Sequence, residues 1–158
     1  IDAMSNTDPV MTMLAQKGEI RIIADTRTLK GTVDVFGGSM PAGCLYASVD
    51  FVMKNPNTVQ ALTNAIVRSL KWLQVAGPSD IVKTVPESYL LGDRALYLAA
   101  FDRVREAISL DGVLPDEGAR TALRTLASFD PAIKADKIDL SMTYTNTFAR
   151  KAKERFKA

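Results

Sequence analysis

Histidine is absent from the 158 residues. Its absence removes the commonest metal ligand and the commonest general acid–base group, and with them any Ser-His-Asp arrangement. Cysteine occurs once, at Cys44, so no internal disulfide forms, and paired Cys/His sites for structural zinc are excluded. No apolar run approaches the roughly 18 residues that a membrane-spanning helix needs. Charge of one sign is not in excess either. The formal net charge is +2 and the isoelectric point near 8.7, too mild a basicity to suggest nucleic acid as a partner. What remains is a chain with 47% apolar and 24% charged residues, an ordinary globular balance in a length that can bury a core unaided.

The opening is read as strand, helix, strand. Ile1-Asp2-Ala3-Met4 is short and apolar before the polar run Ser5-Asn6-Thr7-Asp8, and is expected to end a buried strand. Thr7 or Asp8 then caps a helix with Pro9 at its first position and Gly18 at its end. Ile20-Arg21-Ile22-Ile23-Ala24 is expected as a second buried strand, rich in β-branched residues. Residues 26–41 form a long connection holding Gly31, Gly37, Gly38 and Pro41, with a short extended piece at Val33-Val35-Phe36. A third strand is expected at residues 44–47 and a short helix at 48–54.

From there the pattern is helical. Asn55-Pro56 is a start signal, followed by Val59, Leu62, Ile66, Leu70 and Leu73 on one stripe. Gly77-Pro78 closes that helix. A short helix over about 80–85 follows, then one capped by Asp93 with Tyr97, Phe101, Val104 and Ile108 on a face. A further helix begins at Pro115, with Asp116 and Glu117 in its first turn and Leu123, Leu126 and Phe129 facing inward. The last helix covers about 146–156, with Phe148, Ala152 and Phe156 stacked.

Four stretches in this order resemble one family. They are "IDAMSNTDP", "MLAQKGEIRIIADTRT", "GGSMPAGCLYASVDFVMKNPNTVQALTNAIVRSLKWLQ" and "SLDGVLPDEGARTALRTLASFDPAIKADKIDLSMTYTNTFARKA". Together they are similar to the extracytoplasmic solute-binding proteins of ABC importers, in the nitrate/sulfonate/taurine branch that also includes binders of thiamine pyrimidine precursors. The resemblance implies an α/β fold: part of a type II periplasmic-binding-protein fold, helix-dominated. On that mapping residues 1–25 end the second lobe, 26–41 form the inter-lobe connection and hinge, and 42–158 supply a returning strand and the C-terminal helices of the first lobe. The full family chain is about twice this length, so the sequence is expected to be the C-terminal half, a fragment whose helices cover strands encoded upstream. The start at Ile1 shows neither a basic n-region nor an apolar h-region and reads as a strand cut open.

The implied function is capture of a small, anionic solute such as a sulfonate or nitrate by closure of two lobes. Delivery to ABC permease and ATPase subunits would follow, at a periplasmic or lipid-anchored extracytoplasmic location. No cofactor, metal or catalytic residue is implied. Two other functions remain open on the same fold: a pyrimidine-synthase-like enzyme of thiamine biosynthesis, disfavoured by the lack of the histidine it consumes, and a ligand-sensing domain of a transcription regulator. A plain all-α interaction domain, with the resemblance accidental, is a further reading, against which the strand-like start through residue 25 speaks.

The ligand-binding candidates are Ser5, Asn6, Thr7, Ser39 and Met40. The first three sit where a strand meets a helix start, a position suited to an anion; the alternative is that they make local capping bonds. Asp8 would repel an anion unless it points away. Ser39 and Met40 follow Gly37-Gly38, where the backbone admits a close ligand; the alternative is a plain flexible connection. Cys44 is expected as a small core residue. Trp72 is read as packing, and the cations Arg150, Lys151, Lys153, Arg155 and Lys157 as a solvated face.

Overall fold

The computed structural model describes residues 2–90 and 92–158. The described residues form α1 (Val10–Gln16), α2 (Leu29–Phe36), α3 (Val49–Lys54), α4 (Pro56–Val75), α5 (Pro78–Thr84), α6 (Arg94–Val104), α7 (Asp116–Phe129) and α8 (Thr147–Phe156), joined in places by single 3₁₀ turns. There is no strand among them. The fold is therefore all-α, and the α/β architecture expected from sequence is corrected. The three anticipated strands fail for one physical reason. A strand needs a ladder partner for its N–H and C=O groups, and residues 2–4, 20–24 and 44–47 have none among the described residues. Ile1, placed in the first of these strands, lies outside them. Much of the apolar surface of these segments is left in solvent: Ile23 is 84% and Tyr46 88% exposed, while Ile20 and Ile22 are half-buried. Cys44, expected in a core strand, is an exposed free thiol. The extended piece at 33–36 is instead the end of α2.

Helix starts follow local chemistry. The Ser48 hydroxyl accepts from Phe51 N–H and opens α3, and the Asp93 carboxylate accepts from Leu96 N–H and opens α6. Asp116 and Glu117 occupy the first turn of α7, where the macrodipole favours acids. Gly18 ends the first helix at φ +71, a backbone region that costs a side chain but not glycine.

The chain divides into two compact units. One holds the chain up to Gly31 together with Val75–Ile108; the other holds Thr32–Gln74 and Ser109–Ala158. In the first, α6 packs against α1 and α5, burying Ile81, Leu90, Leu96 and Ala100. Arg105 ties the end of this set by donating to the Ala76 carbonyl while its guanidinium lies over the Phe101 ring. The 75–108 stretch, which the resemblance places with the C-terminal helices, thus shares a unit with residues 2–31.

In the second unit Val59, Val67, Ala119, Ala149 and Ala152 are buried. The expected stripe on α4 holds at buried Val59 and half-buried Leu70 and Leu73, but its centre is turned toward fully buried Val67, leaving Leu62 and Ile66 47% and 41% exposed. The same holds on α7, where Gly118, Ala119 and Thr121 are buried and Phe129 is 70% exposed. Small residues win the inner face there because a loop crosses the helix closely. A Cβ on Gly118 would sit 2.6 Å from Pro41 Cγ. α8 behaves as read from sequence: Ala152 is buried between half-buried Phe148 and Phe156. Its cations at 150, 151, 153, 155 and 157 are exposed. The Asn146 side chain accepts from Leu114 N–H at 2.9 Å and donates to Leu114 C=O at 2.8 Å, pairing with a backbone segment 32 residues away as a strand neighbour would.

Candidate functional site

The candidate residues fall in both units. In the first unit, Ser5, Asn6 and Thr7 are exposed and lead into α1. Their geometry is governed by Asp8, which turns inward. Its carboxylate Oδ1 accepts from Thr12 N–H at 2.9 Å and from the Thr12 hydroxyl at 2.8 Å. Arg27 closes the network. One guanidinium nitrogen reaches Asp8 Oδ2 at 3.2 Å and Thr12 Oγ1 at 3.2 Å; the other donates to Asp25 Oδ2 at 2.6 Å. The Asp8 side chain is 7% and the Arg27 side chain 13% exposed, and Thr12 is fully buried. Asp25's hydrogen bond is the largest influence on Arg27, raising its pKa against the opposing effect of burial, with Asp8 adding to it. In return Arg27 holds the Asp25 carboxyl below its ordinary 3.8. A desolvated carboxylate is tolerable only when paired, and that is how Asp8 is kept away from the Ser5-Asn6-Thr7 surface.

The start of α1 itself offers few free donors. Thr7 N–H is bonded to Asn6 Oδ1 at 2.8 Å, Thr12 N–H to Asp8, Met13 N–H to the Pro9 carbonyl and Met11 N–H to the Thr7 carbonyl. Pro9 has no N–H, and its peptide bond to Asp8 is cis. Ser5 and Thr7 therefore contribute hydroxyls in solvent, while Asn6 is engaged locally.

In the second unit, Ser39 and Met40 are half-buried on a segment that lies across α7. Arg124 donates to the carbonyls of Phe36 at 2.9 Å and Gly37 at 3.3 Å, pinning the segment's start. Gly38 is buried against Thr121 and Glu117: a Cβ there would meet Thr121 Oγ1 at 2.6 Å. Pro41 rests on Gly118. Between these anchors the Ser39 hydroxyl oxygen is buried with no hydrogen-bond partner among the described residues. Buried hydroxyls are nearly always satisfied, and leaving one unpaired costs about 1–3 kcal/mol. The Gly37-Gly38 signal in the sequence located this segment. The α7 residues that hold it, Gly118, Thr121 and Arg124, carried no separate signal, because their role appears only when Pro41 and Gly38 are seen lying on the helix.

Among the described residues no cluster of three or more Cys, Asp or Glu side chains could hold a metal ion, and no helix is long and apolar enough to cross a membrane. No family model and no curated protein matches the chain. A solved structure of a protein from Bordetella bronchiseptica RB50 is similar at 56% identity and a TM-score of 0.92, over 97% of this chain and 48% of that one. The chain thus spans about half the length of the solved structure it matches, and the helical arrangement described above recurs in it.

Proposed function

We propose that the chain belongs to a solute-binding component of an ABC importer, capturing a small anionic solute and passing it to permease and ATPase subunits outside the cytoplasm. The observation that carries this reading is the Ser39 hydroxyl, buried and without a partner on a glycine-bearing segment fixed at both ends by α7. A hydroxyl left unpaired there gains its missing hydrogen bond if the segment opens to admit a ligand oxygen, which offsets the cost of the opening. Two further features support it. Asp8 is paired inward with Arg27, so its charge does not oppose an anion near Ser5 and Thr7. The four sequence stretches similar to such receptors span most of the chain. The lack of histidine weighs against the synthase-like alternative.

Thermal shift against sulfonates, nitrate, aromatic carboxylates and aminopyrimidines tests the reading by linkage. At least one anionic solute is expected to raise Tm, and Ser39→Ala is expected to weaken that solute about tenfold, the loss of one hydrogen bond to a charged group. A panel in which neither nitrate nor any sulfonate stabilises the chain, or in which the stabilising sulfonate or nitrate is indifferent to Ser39→Ala, contradicts it.

A further inference from the structure

A cavity of about 340 Å³ opens along the flank of α7 in the second unit. Its floor is apolar: Leu123 and Ala127 from the helix face Ala135 and Leu140 from the two 3₁₀ turns that follow it. Its rim carries Arg120 and Arg124, one helical turn apart on the same side. Small-molecule sites run from roughly 300 to 1,000 Å³ and combine apolar walls with a few polar groups that fix orientation. In volume it reaches the lower end of that range, as a trough open to solvent rather than an enclosed pocket.

The two arginines differ in a useful way. Arg124 is held by the Phe36 and Gly37 carbonyls through one amino nitrogen, and its remaining N–H groups make no hydrogen bond among the described residues. Arg120 makes no ion pair or hydrogen bond among them. Guanidinium groups bind carboxylates through paired N–H donors; both edges of Arg124 use the nitrogen already given to the Phe36 and Gly37 carbonyls, so Arg124 offers charge and single donors while exposed Arg120 supplies the fork at one end of an apolar trough. Burial of a ligand's hydrocarbon against Leu123, Ala127 and Leu140 then adds about 25 cal/mol for each Å² of apolar surface removed from water.

We propose that this cavity binds a small carboxylate with a short aliphatic or aromatic body, its carboxylate on Arg120 and Arg124 and its body against Leu123, Ala127 and Leu140. The site shares Arg124 with the anchor of the Ser39 segment, but that segment forms none of its walls, and the proposal does not depend on the solute-capture reading.

The test is a titration of the isotopically labelled chain with hexanoate and benzoate, following backbone amides by NMR, with acetate and 1-hexanol as probes lacking the body or the charge. Saturable shifts are expected in Asp116–Phe129 and Ala135–Lys137 with hexanoate and benzoate, and binding at least about tenfold weaker with acetate or hexanol. Arg120→Gln changes an exposed side chain and is expected to weaken hexanoate about tenfold. Ala127→Leu keeps a strong helix former while filling the trough, and is expected to abolish binding. Ser39→Ala is expected to leave hexanoate unchanged, which separates a failure of this site from a failure of the solute-capture reading. Hexanoate binding no tighter than acetate, shifts confined to other helices, or full affinity in Arg120→Gln overturns the proposal.

Discussion

Arg27 neutralises two carboxylates from inside the first unit, and its removal isolates Asp8, whose side chain is 7% exposed. Breaking a buried pair by deleting one partner typically costs about 3–5 kcal/mol, because the other charge stays desolvated. Arg27→Met is therefore expected to lower stability by about 3 kcal/mol in urea unfolding, and adding Asp8→Asn is expected to recover part of that loss. Equal losses in the single and double variants would show that the stranded Asp8 charge is not what Arg27 compensates. The pH dependence has a definite sign. Asp25 titrates below its ordinary 3.8 in the folded chain because Arg27 hydrogen-bonds its carboxylate. Its contribution is complete above the unfolded value and is lost as pH falls through the lower, folded one. Asp111 behaves likewise: burial opposes its ionised form, but the Lys153 bond at 2.7 Å prevails. Urea midpoints are expected to fall below about pH 4, and Arg27→Met is expected to flatten part of that fall. The acidic character of Asp8 and its inward role were open in the sequence, since capping and repulsion of a ligand use the same residue type; Arg27, nineteen positions away, decided it.

At the scale of elements, helix starts were legible and strands were not. Ser48 and Asp93 accept from N–H groups of their own first turn, Pro56 has the fixed φ that suits a first helical position, and Asp116-Glu117 sit where the macrodipole favours acids, so each effect is visible locally. A strand is defined by its neighbour, and the β-branched run at 20–23 cannot form one alone. The alternating Val33-Val35 and the preceding Gly31 disguised α2, because both lower helix propensity. Gly31 is required there for a reason outside the helix: a Cβ would overlap the Asp25 carbonyl oxygen. The inner face of α7 was also misread, since apolar periodicity pointed to Leu126 and Phe129 while packing selected Gly118, Ala119 and Thr121. Gly118→Ala places a methyl 2.6 Å from Pro41 Cγ and 2.8 Å from its Cδ. It is expected to destabilise the chain by about 1–3 kcal/mol despite alanine's higher helix propensity. A rise in Tm would mean that the Pro41 loop is not held against the helix.

At the scale of the whole molecule, each unit is assembled from two separated stretches of chain, and no local pattern announces that α1 belongs with α5 and α6. Leu90 and Ile81 form the centre of the first unit, at 0% and 2% exposure. Leu90→Ala is expected to cost about 2–5 kcal/mol, read as a drop in the thermal midpoint. A change smaller than 1 kcal/mol would place the core elsewhere. Composition bounds the chemistry of this chain for a simple reason: chemistry that needs histidine or paired cysteine cannot be supplied by folding alone. The site was half legible. Gly37-Gly38 pointed to Ser39, but the burial of its hydroxyl depends on Arg124, Thr121 and Gly118 meeting a loop some 80 positions earlier.

The most direct test is an NMR titration of the chain with the sulfonate or nitrate that stabilises it most. Amide shifts are expected to concentrate in residues 37–41 and on the α7 residues beneath them, and to weaken in Ser39→Ala. Saturation of the solute with those amides unmoved would contradict the assignment of Ser39 to solute capture.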